Sequence, residues 1–327
     1  MHVLVSGAAG FVGLNVVRRL ARAGDDVLAV SRNPPDAWAI AFLADVAAHV
    51  CWRLADLTQP GALASALTDD VFEAVIHAAV VTATTAAVER EQSVEIVQAN
   101  IGGTLEALDV ARRHACRRFV YVSSSSTLGP LRAGHPADES ALAQPDSLYG
   151  ITKHASELLT RRYGVVHGLS TVAVRIAQPY GPGERPTASR QRTSPLWEWL
   201  DAAARGVTLA TGPLEVARDW TWIEEIARGI AELAHAATPL HDLYHLSVGK
   251  LFSVGEALGT LRAAYPALRY DIAPGPDQLN PNIADTTPRA PLDATRFRNE
   301  FGWEPRVELG EGLRRYLGWN HGETHRP

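Results

Sequence analysis

Three closely spaced glycines follow the first apolar run of the chain. Residues 2–6 read His-Val-Leu-Val-Ser, Gly7, Gly10 and Gly13 come next, and residues 14–23 show the periodicity of an amphipathic helix. The spacing is Gly-x-x-Gly-x-x-Gly rather than Gly-x-Gly-x-x-Gly. Between a strand and a helix, glycines let the backbone approach a pyrophosphate at the positive end of the helix dipole. We therefore predict a dinucleotide-binding turn, with an ordinary glycine-containing loop as the alternative.

Apolar runs and helical segments alternate through the first half of the chain. The runs that indicate buried parallel strands cover residues 26–31, 50–54, 72–77, 119–123 and 171–176. Helices are expected over residues 89–114, 148–163, 196–205 and 223–236, and a further strand over residues 244–248. This alternation predicts an α/β fold with a Rossmann-type doubly wound parallel sheet.

The composition changes after residue 176, where a loop rich in Pro, Gly and Arg begins. Short helices and Pro-rich turns then dominate the last quarter of the chain. We therefore assign residues 1–176 to a dinucleotide-binding domain, to which residues 223–248 return. Residues 177–222 and 249–327 are assigned to a smaller C-terminal substrate-binding lobe at the carboxyl edge of the sheet.

Composition and charge exclude several classes of function. The 327 residues suffice for a large core, and the net charge of −5 is spread out, so no nucleic-acid partner is predicted. No apolar stretch approaches the length of a membrane span, and we expect no secretion signal. Cys51 and Cys116 are both expected to be small buried residues of a reduced, cytoplasmic protein. The 12 His lack ligand spacing, so no metal site is predicted.

Tyr149 and Lys153 stand four residues apart in a helical segment, so they share one face of the helix. A phenol beside an ammonium loses its proton more easily, because the positive charge favours the phenolate. Such a pair can remove a proton from an alcohol near neutral pH. Tyr-x-x-x-Lys also arises by chance, as a half-buried Tyr beside a solvated Lys. The serines from Ser123 to Ser126, at an earlier strand end, favour the catalytic interpretation.

The end of the second strand bears on the choice of cofactor. A carboxylate there binds the adenosine ribose hydroxyls of NAD, whereas an Arg accommodates the 2′-phosphate of NADP. The sequence has Ser31 and Arg32 at this point and no carboxylate until Asp36. NADP is therefore favoured over NAD, and a solvated surface cation is the alternative role for Arg32.

Further short motifs accompany these features in order along the chain. They are Asp56-Leu57, His77-Ala78-Ala79, Asn100 with Gly103-Thr104, Ser123-Ser124, Tyr180-Gly181-Pro182-Gly183, Arg218-Asp219-Trp220 and Phe301-Gly302-Trp303-Glu304-Pro305. With the glycine turn and the Tyr149/Lys153 pair, they make the chain resemble the extended short-chain dehydrogenase/reductase family, of the NAD-dependent epimerase/dehydratase type. The resemblance covers nearly the whole chain, and it is specific for the family rather than for a substrate.

The resemblance implies a role for each matching residue. The catalytic residues would be Ser124, Tyr149 and Lys153, with the other serines of the cluster as alternatives to Ser124. Cofactor contacts would come from Gly7, Gly10, Phe11, Val12, Gly13, Ser31, Arg32, Asp56, Leu57, Ala78, Ala79, Asn100, Tyr149, Lys153, Pro179 and Tyr180. Substrate contacts would come from Ser124, Ser125, Gln178, Arg185 and Arg218. Within these sets, Asn100 would hold the active-site loops, and Pro179 and Tyr180 would lie beside the nicotinamide carboxamide.

Several positions depart from the family pattern. Dehydratases of the family carry an Asp-Glu pair after the catalytic Ser/Thr, where this chain has Ser125 and Ser126, so dehydration is not expected. Gln178 replaces an Asn that many sugar-nucleotide enzymes have before the Tyr-Gly-Pro-Gly stretch. Arg218 matches an Arg that grips a diphosphate. The other arginines with a candidate anion-binding role are Arg185, Arg190, Arg192 and Arg289, and a solvated loop is the alternative for the first three.

Three functions remain open. A nucleotide-sugar epimerase would keep its cofactor, whereas a reductase or dehydrogenase of a sugar or other small secondary alcohol would exchange NADP. A catalytically idle cofactor-sensing protein is the third. The intact Ser124, Tyr149 and Lys153 set argues against the third function, and Arg218 favours the epimerase. The resemblance also implies a homodimer formed through the helices at residues 89–114 and 148–163.

Overall fold

A parallel sheet of seven strands is the centre of the protein. The structure is a computed structural model that describes residues 1–67, 70–82, 85–130, 135–187, 193–275, 279–286 and 288–321. Its strands are β1 (His2–Ser6), β2 (Asp26–Ser31), β3 (Val50–Leu54), β4 (Ala74–His77), β5 (Arg118–Ser124), β6 (Thr171–Ile176), β7 (Gln178–Tyr180), β8 (Leu209–Thr211), β9 (Ala217–Arg218), β10 (Trp220–Trp222), β11 (Leu243–Leu246), β12 (Phe252–Ser253) and β13 (Tyr270–Ile272). The central sheet has the order β11-β6-β5-β4-β1-β2-β3, and each neighbouring pair is parallel.

Helices connect the strands and cover both faces of the sheet. They are α1 (Phe11–Arg22), α2 (Ala37–Phe42), α3 (Ala62–Ala66), α4 (Ala86–Val97), α5 (Gly103–Arg113), α6 (Leu148–His167), α7 (Pro195–Arg205), α8 (Ile223–His235), α9 (Val254–Ala264), α10 (Pro281–Ala284), α11 (Thr295–Phe301) and α12 (Leu309–His321). Alternate residues of a strand face opposite sides of a sheet. In β1, Val3 and Val5 accordingly pack in one hydrophobic cluster with α1 and α8, whereas Leu4 packs in another with α3 and α5. The predicted doubly wound α/β fold is confirmed.

The outer strand β3 differs from the expectation of a buried strand. Its residues are half-buried or exposed and none is fully buried, because β3 lies at the edge of the sheet and has only β2 as a neighbour. The prediction that Cys51 is buried is therefore wrong: its side chain is exposed, whereas Cys116 is buried as expected.

The single helix expected over residues 89–114 is interrupted. Helix α4 is kinked at Gln92, whose φ of −123° and ψ of 18° are not helical. A π-helical turn over Gln98–Gly102 then joins α4 to α5. Such turns often occur at functional sites, and this one contains Asn100.

A second hydrophobic cluster lies outside the central sheet. Its largest buried side chains include Trp199, Trp220 and Trp222, which come from α7 and β10. Trp303 is also buried, but it packs in the cluster of the sheet with Phe297. The proposed domain boundaries remain a prediction. Within the described ranges, no helix is long and apolar enough to cross a membrane.

Candidate active site

A large cavity opens at the carboxyl ends of the parallel strands. Its volume is about 1040 Å³, and its wall combines the loops after the strands with segments from the second half of the chain. In parallel α/β sheets this edge is the usual place for a ligand. The predicted site residues that line the cavity are Gly7, Gly10, Phe11, Val12, Gly13, Ser31, Arg32, Asp56, Leu57, Ala78, Ala79, Ser124, Ser125, Tyr149, Gln178, Pro179, Arg185 and Arg218.

The glycine turn between β1 and α1 leaves no room for side chains. A Cβ on Gly13 would lie 2.2 Å from the Gly7 carbonyl oxygen, and one on Gly7 would lie 2.6 Å from Cα of Ala79. Gly7 also has a φ of +73°, in the left-handed region that favours glycine. This close contact brings the residues after β4 against the turn. Ala78 and Ala79 therefore line the cavity beside the three glycines. This cradle fits a dinucleotide pyrophosphate at the start of α1.

Tyr149 lies in the first turn of α6, where the cavity meets the helix. Ser147 caps this helix, since its hydroxyl accepts a hydrogen bond from the Gly150 N–H at 3.2 Å. One turn further on, the Lys153 Nζ lies 5.9 Å from the centroid of the Tyr149 ring and donates to the Val122 carbonyl at 2.6 Å. Burial lowers the pKa of Lys153 to about 7, and the charge of Glu157 opposes this shift.

The serine cluster ends β5 and faces the same cavity. The Ser124 hydroxyl accepts a hydrogen bond from the Ser126 N–H at 3.2 Å and donates one to the Ser126 hydroxyl at 3.1 Å. Ser124, Ser125 and Ser126 all line the cavity, as does Tyr149. Ser123 does not, because it is the preceding, inward residue of the strand. A hydroxyl pair and a phenol thus face one space, which suits an alcohol or carbonyl oxygen as ligand.

Three residues predicted to bind the cofactor do not line the cavity. Lys153 is buried, and its ammonium also lies 4.9 Å from the centroid of the Tyr121 ring. Asn100 is buried in the π-helical turn and binds the Val81 backbone, accepting from its N–H at 2.8 Å and donating to its carbonyl at 3.1 Å. Val81 does line the cavity, so Asn100 holds a cavity loop in place, as the resemblance implied.

The prediction for Tyr180 requires a correction. Its ring is fully buried in the second hydrophobic cluster, where it packs against Trp222 and Tyr316 at centroid distances of 5.4 and 6.4 Å. The ring therefore cannot lie beside a nicotinamide. The reason is the packing of the ring: Gln178 and Pro179 are half-buried and line the cavity, whereas the Tyr180 ring fills a place among the aromatic side chains of the second cluster.

Two arginines from the second half of the chain, Arg218 and Arg289, line another part of the cavity wall. Arg218 is buried and donates to the backbone carbonyls of Ala217 and Asp285, the first at 2.7 Å. Arg289 donates to the Asp285 carboxylate at 2.6 Å. Burial lowers the pKa of Arg218 to about 10, and the charge of Arg289 contributes to this shift. The Asp285 carboxylate is bound by Arg289, so the guanidinium of Arg218, which donates to backbone carbonyls here, is the group available to an anion.

Arg185 lies nearer to the glycine turn than to that wall. Its guanidinium donates to the Ala9 carbonyl at 3.3 Å and to both carboxylate oxygens of Asp36 at 3.1 Å. It therefore joins the loop after β7 to the loops after β1 and β2. Arg190 and Arg192, the other arginines of the predicted anion site, lie outside the described residues.

Asp219 is a cavity residue that was not predicted to belong to the site. The residue is buried, and its carboxylate accepts hydrogen bonds from the Ser247 hydroxyl and from the Leu292 N–H, the latter at 3.0 Å. Its backbone carbonyl accepts from the Gln178 N–H at 3.0 Å. Burial raises the pKa of Asp219 to about 6. Asp219 thus joins three chain segments beneath the cavity wall.

Sequence reasoning also missed an ion pair beside the catalytic residues. Arg175 of β6 donates to both carboxylate oxygens of Glu157, at 2.9 and 2.8 Å, and both side chains are buried. The Ser123 hydroxyl donates to the same carboxylate at 2.5 Å. The spacing of Glu157, one turn after Lys153 on α6, was the signal that could have identified it.

Comparison with known proteins agrees with this geometry. Residues 3–246 match the profile of the NAD dependent epimerase/dehydratase family. The chain belongs to this family. Its enzymes include a dTDP-glucose 4,6-dehydratase of Streptomyces griseus, which is 30% identical over 98% of this chain and 94% of its own length. A UDP-glucuronate 4-epimerase of Thermodesulfobacterium geofontis is 29% identical over 98% of this chain and 96% of its own length.

Solved structures of the family show the same fold. MoeE5 in complex with UDP-glucuronic acid and NAD is 26% identical, with a TM-score of 0.80 over 98% of this chain and 99% of its own. The Thermus thermophilus UDP-glucose 4-epimerase in complex with NAD is 23% identical, with a TM-score of 0.83 over 99% of this chain and 100% of its own. The chain is therefore an NAD-dependent, sugar-modifying enzyme of the extended short-chain dehydrogenase/reductase family.

Proposed function

We propose that this enzyme is a nucleotide-sugar epimerase that works by reversible oxidation of a secondary alcohol. The observation that carries the proposal is the placement of Ser124 and Tyr149 on one cavity wall, with the Lys153 Nζ 5.9 Å from the centroid of the Tyr149 ring. The similarity to the UDP-glucuronate 4-epimerase supports the same reaction class.

Tyr149 is the residue placed to move the substrate proton. As a phenolate it takes the proton of the sugar hydroxyl, and as a phenol it returns a proton to the oxidised carbon's oxygen. Ser124 donates a hydrogen bond to that oxygen and stabilises its negative charge. The chemistry that a bound nicotinamide would supply is reversible hydride transfer at the carbon that bears this oxygen, with return of the hydride to the opposite face of that carbon. Residues of the glycine turn, together with Ala78 and Ala79, hold the dinucleotide.

Ser125 and Ser126 favour epimerisation over dehydration. Loss of water from a sugar requires one group that protonates the departing hydroxyl and another that removes a proton from the neighbouring carbon. Hydroxyl side chains at these two cavity positions are poor at both tasks, because their pKa values are far from neutral. The 30% identity to a dehydratase therefore reflects the shared fold and hydride chemistry rather than the elimination step.

The wall with Arg218 and Arg289 is proposed to bind the diphosphate of a nucleotide sugar. Keeping the buried Arg218 charged is costly, as the lowering of its pKa to about 10 indicates. A diphosphate between the two guanidiniums would offset that cost, because charge-assisted hydrogen bonds to phosphate are strong. MoeE5, which has the same fold, is solved with UDP-glucuronic acid and NAD.

One observation favours a second candidate, an NADP-dependent reductase or dehydrogenase of a sugar or other small secondary alcohol. Arg32 lies on the cavity wall directly after β2, where an Arg accommodates a 2′-phosphate. Net reduction suits a cofactor that exchanges, whereas an epimerase returns the hydride to the same sugar. The preference for NADP stays a prediction.

We also propose a homodimer that forms through α4 and α6. These packed helices carry large exposed apolar side chains, namely Val94, Val97, Ile151, Leu158, Val165 and Val166. Exposed apolar side chains concentrated on two packed helices are typical of an interface. Light scattering on the purified protein tests the proposal, and a monomer at micromolar concentration contradicts it.

The function is tested by product analysis on the purified enzyme. Nucleotide released by denaturation is first identified, and tightly held NAD is expected. The protein is then incubated with UDP-glucuronate, UDP-glucose or dTDP-glucose, and the sugar stereochemistry is followed by NMR. Appearance of the C4 epimer of one of them, with no net change in nicotinamide absorbance, is the expected result. Stoichiometric consumption of NADPH favours the reductase, and loss of water from the sugar contradicts both candidates.

A further inference from the structure

Arg32 forms an ion pair with a residue from a distant part of the chain. Its Nη1 lies 3.1 Å from Oε1 of Glu95, which is near the C-terminal end of α4. The two side chains retain 34% and 44% of their exposure, so solvent reaches both. Because Arg32 lines the cavity directly after β2, its partner carboxylate is held next to the same part of the cavity.

We propose that Glu95 is a specificity-determining residue that weakens the binding of 2′-phosphorylated dinucleotides and thereby favours NAD over NADP. This inference rests on the proposed cofactor site, because it requires the adenosine ribose to lie at the end of β2. A 2′-phosphate would either displace Glu95 from Arg32 or share the guanidinium with it. Displacement leaves a carboxylate without its cation, and sharing brings two anions together.

The same pairing holds for the second arginine near this part of the cavity. The Arg185 side chain is only 12% exposed, and its guanidinium is bound by the carboxylate of Asp36. Each of these two guanidiniums is therefore matched by one carboxylate, and the local charge is close to zero. A dianionic phosphate gains little from such a surface, whereas the neutral 2′-hydroxyl of NAD is not repelled by it.

This arrangement explains why the residues after β2 give an incomplete indication of the cofactor. In NAD-binding folds of this type, the carboxylate that binds the adenosine ribose hydroxyls normally stands at the end of the second strand. Here the strand ends at Ser31, Arg32 follows it, and the negative charge is supplied from α4. The kink at Gln92 lies three residues before Glu95, so the helix changes direction just before the residue that reaches Arg32.

The inference is tested by nucleotide binding to protein freed of cofactor. Calorimetry measures the Kd values of NAD and NADP, and of the fragments 5′-AMP and 2′,5′-ADP, which isolate the adenosine end. Glu95→Gln should tighten binding of NADP and 2′,5′-ADP about two- to fivefold, the range of a solvent-exposed ion pair, and leave NAD and 5′-AMP unchanged. The gain should shrink at high salt. Glu91→Gln, an exposed change of equal charge on the same helix, is the control and should not alter the ratio.

A double variant separates competition for Arg32 from a general effect of charge. Arg32→Ala alone is expected to weaken the binding of NADP more than that of NAD. When Glu95→Gln is added to Arg32→Ala, it should improve NADP binding less than it does in the wild-type background. An unchanged NADP/NAD ratio in Glu95→Gln, or equal gains for both nucleotides, overturns the inference. These measurements require no sugar substrate. A protein that shows the expected ratio but no epimerisation would therefore refute the proposed function alone.

Discussion

The Nζ of Lys153 lies 5.9 Å from the centroid of the Tyr149 ring, while its hydrogen bond goes to the Val122 carbonyl at 2.6 Å. The lysine is buried and the tyrosine lines the cavity. The ammonium therefore acts on the phenol through its charge from inside the protein, and α6 and β5 hold it in place. Burial lowers the pKa of Lys153 to about 7, so this charge is costly to maintain in the free enzyme.

Replacing Tyr149 by Phe should remove the proton transfer and little else. We expect turnover to fall by at least about a hundredfold, because a general acid–base group typically contributes that much or more. The Kd of NAD should change little, since the ring still fills its place on α6. Epimerisation assays and calorimetry measure the two effects, and Tyr163→Phe on the same helix is the control. Full activity of Tyr149→Phe would contradict the assignment of this residue as the acid–base group.

Replacing Lys153 by Met should change how stability depends on pH. The pKa of Lys153 is about 7 in the folded protein and near 10.5 when unfolded, so the unfolded state binds more protons between these values. The wild type therefore loses stability as the pH falls from about 10.5 to about 7, and a Met variant lacks this loss. Relative to the wild type, Lys153→Met should gain about 3–5 kcal/mol between pH 10 and pH 6.5. Urea unfolding of cofactor-free protein measures the difference, and a pH-independent difference contradicts the lowered pKa of Lys153.

Much of the fold could be predicted because its signals are local. The strands β2, β3 and β6 have the predicted bounds, since a run of apolar residues between turn-forming segments is read directly from the sequence. The glycine turn was predictable for the same reason. The interruption between α4 and α5 was not, because it depends on Asn100, whose side chain binds the backbone of Val81 from another loop.

Gly13→Ala tests whether the turn needs this close approach. The added Cβ would lie 2.2 Å from the Gly7 carbonyl oxygen, a backbone atom that cannot move away cheaply. We expect at least a tenfold loss of NAD affinity together with a lower melting temperature. The matched control is Gly259→Ala in α9, where nothing lies within 4 Å of the new Cβ. That variant should be more stable by up to about 1 kcal/mol, because alanine favours helix. Equal behaviour of the two variants would show that the turn tolerates a side chain.

The parts of the site that were not predicted depend on long-range contacts between charged residues. Glu157 and Arg175 come from α6 and β6, and Arg32 and Glu95 come from β2's end and α4. No periodicity in the sequence says which carboxylate will meet which guanidinium. The Tyr180 error is of another kind: its ring packs with Trp222 and Tyr316 in the second hydrophobic cluster, and a short motif in the sequence does not show that packing.

The Glu157–Arg175 pair should be costly to break and less costly to replace. Both side chains are buried, with 7% and 4% exposure, so Glu157→Gln leaves the Arg175 charge without a partner. A loss of about 3–5 kcal/mol in the free energy of unfolding is expected, as for other broken buried pairs. The double change Glu157→Met and Arg175→Met removes both charges and should recover a large part of that loss. The control is Glu311→Gln on α12, whose pairs with Arg314 and Arg315 are exposed, and it should have little effect. If the loss in the free energy of unfolding of the double variant equals the sum of the losses for the separate changes at Glu157 and Arg175, the two residues do not act as a unit. The Ser123 hydroxyl, which also donates to Glu157, would then carry more of the stability of this region than the charges do.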